Sequence, residues 1–298
     1  MVNDGLIIAR GTTRGVRYEL KPLVDEKIAV SIFPELEEHK VWLERVRPLL
    51  KGVADNVQQI CNYGFTEMLN NVIDHSESDS AVIQVKQTPA LIEMKVMDSG
   101  IGIFKKIQTV LGLDDERHAI LELSKGKLTT DPERHTGEGI FFTSRMFDSF
   151  DIFSGDLYYN HEDPGGEWLL ENKLRSIDGT LVIMSIHPRS KRTTQKIFGE
   201  YSSEESDYDF SKTHVVVSLV QDSKDDILVS RSQAKRLLAR CDRFKGMILD
   251  FTHVKQIGQA FADEIFRVFQ RQNPDVHINW VNVNKEVEKM IKRALQRE

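Results

Sequence analysis

The chain has 298 residues, 40% hydrophobic and 29% charged, which is ordinary for a globular protein and enough for about two domains. A formal net charge of −6 supplies no global basic field, which argues against a protein that coats nucleic acid. No apolar run reaches the ~18 residues that span a bilayer and no leader pattern opens the chain, so a cytoplasmic location without membrane attachment is expected.

Residues 5–10 and 15–20 read as two strands around the polar turn at 11–14. The hairpin resembles the wing of a winged-helix domain whose recognition helices are missing, with Arg10, Arg14 and Arg17 available for phosphate contacts. A plain hairpin is the simpler reading, and specific DNA binding by this chain is not expected. Residues 34–62 read as helical, through Leu36, Val41, Leu43, Val46, Leu49 and Leu50, with Pro48 as a kink or break. His39 in this stretch reads as a surface residue rather than a phosphoacceptor. Cys61 follows, and Cys241 lies far from it without metal-type spacing, which fits a reducing compartment.

The next stretch, Phe65-Thr-Glu-Met-Leu-Asn-Asn-Val-Ile-Asp-His-Ser76, sets Glu67, Asn71 and His75 on one face of a helix. Phe65, Met68, Leu69, Val72 and Ile73 supply the apolar surface of the others. A carboxylate one turn from an amide suits a magnesium ion that keeps waters and shares phosphate oxygens, and it can take a proton from an attacking water. Taken alone, the three side chains read as a solvated face. A strand at 91–97 then ends in Asp98-Ser-Gly-Ile-Gly-Ile103, an acid followed by two glycines that let backbone lie close to a flat ligand. Residues 104–134 form a charged insertion that carries Lys105, Lys106, Lys125, Lys127 and Arg134. His135-Thr-Gly-Glu-Gly-Ile140 opens a helical run at 141–147, where free N–H groups and the helix dipole suit phosphate. Asp178-Gly-Thr180 leads into a strand at 181–186. Neither His75 nor His135 reads as a metal ligand.

In order and spacing, these motifs resemble the GHKL superfamily of ATP-binding domains, over residues 50–187. Glu67 and Asn71 match the N box, Asp98, Gly100 and Gly102 the G1 box, Gly137 and Gly139 the G2 box, and Gly179-Thr180 the late Gly-Thr pair. The resemblance implies a Bergerat-type α/β sandwich that binds ATP and magnesium. In it Asn71 would hold magnesium, Asp98 would meet the adenine amino group with help from Thr180, and the glycines would shape the nucleotide loops. Glu67 would be the general base in a hydrolysing member. The insertion would be the lid that orders over the phosphates, with Lys125 or Lys127 in reach of the γ-phosphate and a solvated charge the simpler reading of each.

Residues 189–212 turn from basic to acidic without an apolar period and read as a linker. Beyond it, strands at 215–220, 246–251 and 277–283 alternate with helices at 230–244, 259–272 and 285–295, a small α/β layer structure. The stretch Met247-Ile-Leu-Asp-Phe-Thr-His-Val-Lys-Gln-Ile-Gly258 resembles the STAS domains of anti-anti-sigma factors. Asp250 and Thr252 are kept, but Gly258-Gln-Ala260 stands where those domains carry a phosphorylatable serine, so phosphorylation there is in doubt. A STAS-like module of this kind is found behind GHKL domains in bacterial proteins. The expected organisation is therefore a hairpin and linker at 1–33, an ATP-binding domain at 34–188, a linker at 189–212 and a STAS-like domain at 213–298.

The resemblances imply a slow ATPase that acts as a regulatory switch, with a protein partner met through the STAS-like domain and homodimerisation left open. An anti-sigma-type serine/threonine kinase and a module that binds nucleotide without hydrolysing it are the alternatives, and Glu67 alone does not separate them. A sensor histidine kinase lacks its phosphoacceptor segment here.

Overall fold

The computed structural model describes residues 7–10, 15–128, 136–162, 166–171, 176–203, 206–221 and 227–296. Arg14, Arg134 and His135 lie outside the described residues, as do the side chains of Arg10 and Arg17. The chain forms two compact units, Met1–Ile103 with Thr143–Tyr158 and Asn172–Thr194, and Phe104–Phe142 with Tyr159–Glu171 and Gln195–Glu298.

The first elements are β1 (Ile7–Arg10), β2 (Arg17–Leu20), β3 (Val24–Ser31), α1 (Glu38–Val41), α2 (Asp55–His75), β4 (Ser80–Gln87) and β5 (Ile92–Asp98). Next come α3 (Ile103–Leu111), α4 (Glu116–Lys125), α5 (Gly139–Met146), β6 (Ser149–Gly155), β7 (Leu157–Glu162), β8 (Gly166–Glu171), β9 (Ile177–Ile186) and α6 (Thr194–Tyr201). The remainder holds β10 (Ser202–Ser203), β11 (Ser206–Phe210), β12 (Lys212–Val216) and α7 (Arg231–Leu238). It ends with β13 (Gly246–Asp250), α8 (Gln259–Asp263), α9 (Gln270–Gln272), β14 (His277–Val281) and α10 (Lys285–Leu295). The fold is α+β.

In the first unit an antiparallel sheet runs β3-β4-β5-β9-β6. Its strands alternate, as a half-buried sheet requires: Ile83 and Val85 on β4, Met94 and Val96 on β5 and Met184 and Ile186 on β9 are all buried. Onto this face packs α2, which buries Val57, Ile60, Cys61, Phe65, Met68, Leu69 and Val72. Each such side chain is worth about 1.5–3 kcal/mol against exposure, so α2 is fixed in rotation about its axis. Gly64 sits where α2 meets Phe147, whose ring lies 2.5 Å from the position a Cβ would take. The helical stretch expected at 34–62 is broken. It runs from α1 through a π turn (Trp42–Val46) into a 3-10 turn (Arg47–Leu49), then turns at Gly52 (φ +76°) before α2 starts. Pro48, which has no N–H and stands in the first turn of that 3-10 segment, marks the break. His39 is exposed, and β1 pairs with β2 as the expected hairpin.

In the second unit β12, β13 and β14 form a parallel sheet with β13 in the centre. The strand expected at 215–220 ends at Val216 and tightens into a 3-10 turn (Val217–Val220), and the helix expected at 230–244 stops at Leu238. Arg240, in the left-handed region at φ +63°, turns the chain into a 3-10 turn (Cys241–Arg243). The stretch 259–272 is helical as expected, with a π segment (Glu264–Phe269) between α8 and α9. Residues 189–212 include α6, β10 and β11, and Phe198, Tyr201 and Phe210 join Phe141, Phe142 and Phe244 in one aromatic cluster. The helix α4 packs against β12 and the 217–220 turn.

Candidate functional site

The first unit gathers its candidate residues at the C-terminal end of α2 and the end of β5. The apolar face of α2 goes to the sheet, which leaves Glu67, Asn71 and His75 half-buried on its flank. At the helix end Ser76 is buried, and its hydroxyl donates to the Val72 carbonyl (2.7 Å). The Ser76 carbonyl accepts from the Ile101 amide (2.9 Å), which ties the N box to the G1 loop.

Asp98 ends β5 opposite Ala81, 4% exposed. Burial pushes its carboxyl above the usual aspartate range, against hydrogen bonds from the Gly100 amide and from the Thr180 amide and hydroxyl. The Gly100 amide lies 2.8 Å from Oδ1. Thr180 Oγ1 in turn accepts from the Ile103 amide (3.0 Å), so one hydroxyl links the Gly-Thr pair to both ends of the G1 loop.

The glycines are required by contact as much as by conformation. A Cβ on Gly100 would lie 1.9 Å from the Ser76 carbonyl oxygen. One on Gly102 (φ +83°) would lie 2.6 Å from Ser154 Oγ, which donates to the Gly179 carbonyl (2.8 Å). One on Gly179 (φ +78°) would lie 2.3 Å from the Asp98 carbonyl oxygen. The structure therefore brings Asp98, Gly100, Gly102 and Thr180 into one interlocked loop set beside the end of the helix that carries Glu67 and Asn71. Sequence reasoning gave no role to Ser76 or Ser154. Serine is too common for its type to be a signal, and only the spacing to the glycine boxes could have drawn attention to either.

The other candidates belong to the second unit. Gly139 is the first residue of α5, and Gly137 (φ +73°) stands against the Leu128 backbone, 2.4 Å from its Cβ position. The Leu128 amide donates to the Gly137 carbonyl (3.1 Å). Lys125 is 1% exposed, its ammonium held by the Glu122 carboxylate (2.7 Å) and the Ala239 carbonyl (2.9 Å). Lys127 (φ +52°) donates to the Arg243 carbonyl (3.3 Å) and stands over the Phe244 ring (5.0 Å). In this arrangement both lysines donate to main-chain carbonyls of the C-terminal residues of their own unit.

A second polar cluster closes β13. Burial raises the Asp250 carboxyl, but hydrogen bonds from His214, Thr252 and Asn282 outweigh it and leave the group well below the usual range. Thr252 Oγ1 donates at 2.6 Å, Asn282 Nδ2 at 2.9 Å and His214 Nε2 lies 3.2 Å away. These bonds occupy both carboxylate oxygens, so Asp250 organises the loops after β13 and β14. Gly258 caps α8 with its amide on the Leu228 carbonyl (2.7 Å), and Val229 Cα lies 2.8 Å from its Cβ position. No side chain larger than hydrogen fits there without a shift, so a serine would not.

Among the described residues no group of three or more His, Cys, Asp and Glu side chains could hold a metal, and no helix is long and apolar enough to cross a membrane. Both cysteines are free and buried, their thiols pushed up by burial, Cys61 to about 12 and Cys241 to about 11. Residues 233–288 match the model of a STAS-like domain of unknown function (DUF4325), from α7 into α10. No GHKL domain is detected, and no curated protein matches the chain.

Proposed function

We propose that this protein binds ATP with magnesium, hydrolyses it slowly and serves as a conformational switch coupled to its STAS-like module. The observation that carries this reading is the loop set around Asp98. A buried carboxylate at a strand end, steadied by Thr180, offers an acceptor for an amino group on a flat ring, and three glycines let the surrounding loops pack closely on one another around it. Those features fit an adenine nucleotide. Asn71 would hold a hydrated magnesium ion, with the Glu67 carboxylate one turn away and, like Asn71, half-buried.

Bound magnesium–ATP would supply the phosphoanhydride whose terminal phosphoryl group passes to water or to another acceptor. The chain's own part is then to orient and to move one proton. Asn71 offers its amide oxygen to the ion, and Glu67 accepts the proton of the attacking water. Asp98 and Thr180 hold the base end.

Slow turnover suits a switch, because the shift between two states depends on differential affinity and not on rate. The helix α4, between the G1 and G2 motifs, belongs to the same compact unit as the STAS-like module, which supports coupling between nucleotide and module. A protein partner is expected on that module.

Phosphate release under magnesium–ATP, compared between the native chain and Glu67→Ala, tests the hydrolytic role. The expected result is slow release by the native chain, lost in the variant while nucleotide still binds. Release unchanged in Glu67→Ala removes the general base from the account. Binding without release in the native chain replaces hydrolysis with phosphotransfer or simple binding.

A further inference from the structure

The ends of α4 and α7 exchange cations. Lys125, the last residue of α4, sends its ammonium to the carbonyls of Arg236 (3.3 Å) and Ala239 (2.9 Å) at the end of α7. Arg240, just beyond α7, sends its guanidinium back to the carbonyls of Gly126 (3.5 Å) and Lys127, just beyond α4. Each helix thus has the negative end of its dipole capped by a cation borne on the other. Glu122 stands between them, with Oε1 accepting from Lys125 (2.7 Å) and Oε2 from Arg240 (2.8 Å). Thr213 on β12 adds a hydroxyl bond to the Lys125 carbonyl (2.7 Å).

The two helices are far apart in sequence, and the cluster is buried: Glu122 and Lys125 side chains are 4% and 1% exposed. A buried ion cluster adds little to stability over apolar side chains of the same volume, but it fixes one geometry, since losing a single member strands a charge. Adhesion comes from elsewhere: α4 packs against β12 and the 217–220 turn, and its Ala119, Ile120, Leu121 and Leu123 are buried. Adhesion by apolar groups, with register set by charges that fail together, is the construction of a contact with two discrete states.

We propose that Glu122, Lys125 and Arg240 form a latch that holds α4 on the STAS-like module and releases it as a unit. Lys125, which the sequence offers as a phosphate ligand, is in the latched state a cap on α7. The module becomes the receiver that senses whether α4 is docked. Any response to nucleotide presupposes the ATP site proposed above, whereas the latch is measurable without nucleotide.

Amide hydrogen exchange on the ligand-free full chain, native and Glu122→Gln, is the test. The variant keeps the side chain's shape and removes the one anion. The expected result is exchange faster by about ten-fold or more across 116–125, with 246–250 on β13 unchanged. Equal acceleration of both segments makes Glu122 a general stability residue and overturns the latch, as does no change in either. Should Glu122→Gln fail to fold, the native chain under rising denaturant decides. A latch requires 116–125 to open before 246–250, and a single common opening overturns it. Magnesium–ATP added to the native chain then reads the coupling: no binding at all refutes the ATP site and leaves the exchange result standing.

Discussion

Asp98 and Asp250 are both buried carboxylates at strand ends, and their surroundings drive them in opposite directions. At Asp98 burial prevails and the group is raised, so its ionised form is held at a cost that a ligand's donor can relieve. At Asp250 the donors prevail over burial and the group is lowered, a structural anchor with its acceptors filled. The linkage sign follows for Asp250. Its folded-state value lies below that of the unfolded chain, about 3.9, so its contribution is complete above that value and lost as pH falls toward the folded one. Asp250→Asn should lower stability near neutral pH by about 1–3 kcal/mol in denaturant titrations, with the difference from the native chain shrinking below about pH 4. The residue types of both sites were legible in the sequence, since an acid before Ser-Gly-Ile-Gly and an acid before Phe-Thr stand out. Their partners were legible only in part: the resemblance set Thr180 beside Asp98, whereas Asn282 reaches Asp250 across the sheet at a sequence separation no local pattern encodes.

At the scale of elements, the interlock of Gly100, Gly102 and Gly179 joins the end of α2, the loop after β5 and the strand β9. Gly179→Ala meets both a left-handed backbone and the Asp98 carbonyl at 2.3 Å, so the loop set must shift. Its expected cost is about 1–3 kcal/mol of stability with weakened nucleotide binding, read by thermal unfolding and calorimetry; an alanine tolerated in both would mean the interlock does not hold the site. Patterning made β5, α8 and α10 legible, whereas β4 went unread. The errors fell where tertiary contacts override local preference. Val217-Ser-Leu-Val220, with a β-branched valine at each end, coils into a 3-10 turn after β12, and the stretch at 34–62 breaks around Pro48 and Gly52. The tract at 189–212 looked like a linker because its charged residues hide the aromatic spacing of Phe198, Tyr201 and Phe210, which cluster only in three dimensions.

At the scale of the whole molecule, the division into units does not follow a single cut in the chain. The segment Phe104–Phe142 is compact with Gln195–Glu298, although the two are separated in sequence by strands of the first sheet. A chain ended after Thr194 would leave Ile120, Leu121, Leu123 and the Glu122–Lys125 pair without β12 and α7. Such a truncation should expose apolar surface, seen as dye binding and self-association by light scattering; a monodisperse, fully cooperative fragment would contradict the shared unit. The partners of Lys125 and Lys127 were not legible in the sequence, since nothing local indicates that these side chains donate to the carbonyls of residues 236–243.

The most direct test of the account is calorimetric titration of magnesium–ATP into the native chain and into Asp98→Asn. The account predicts saturable binding by the native chain and a loss of about ten-fold or more in the variant, whose amide cannot replace the ionised acceptor at the base end. No binding by the native chain, or equal affinity in the two, would contradict it.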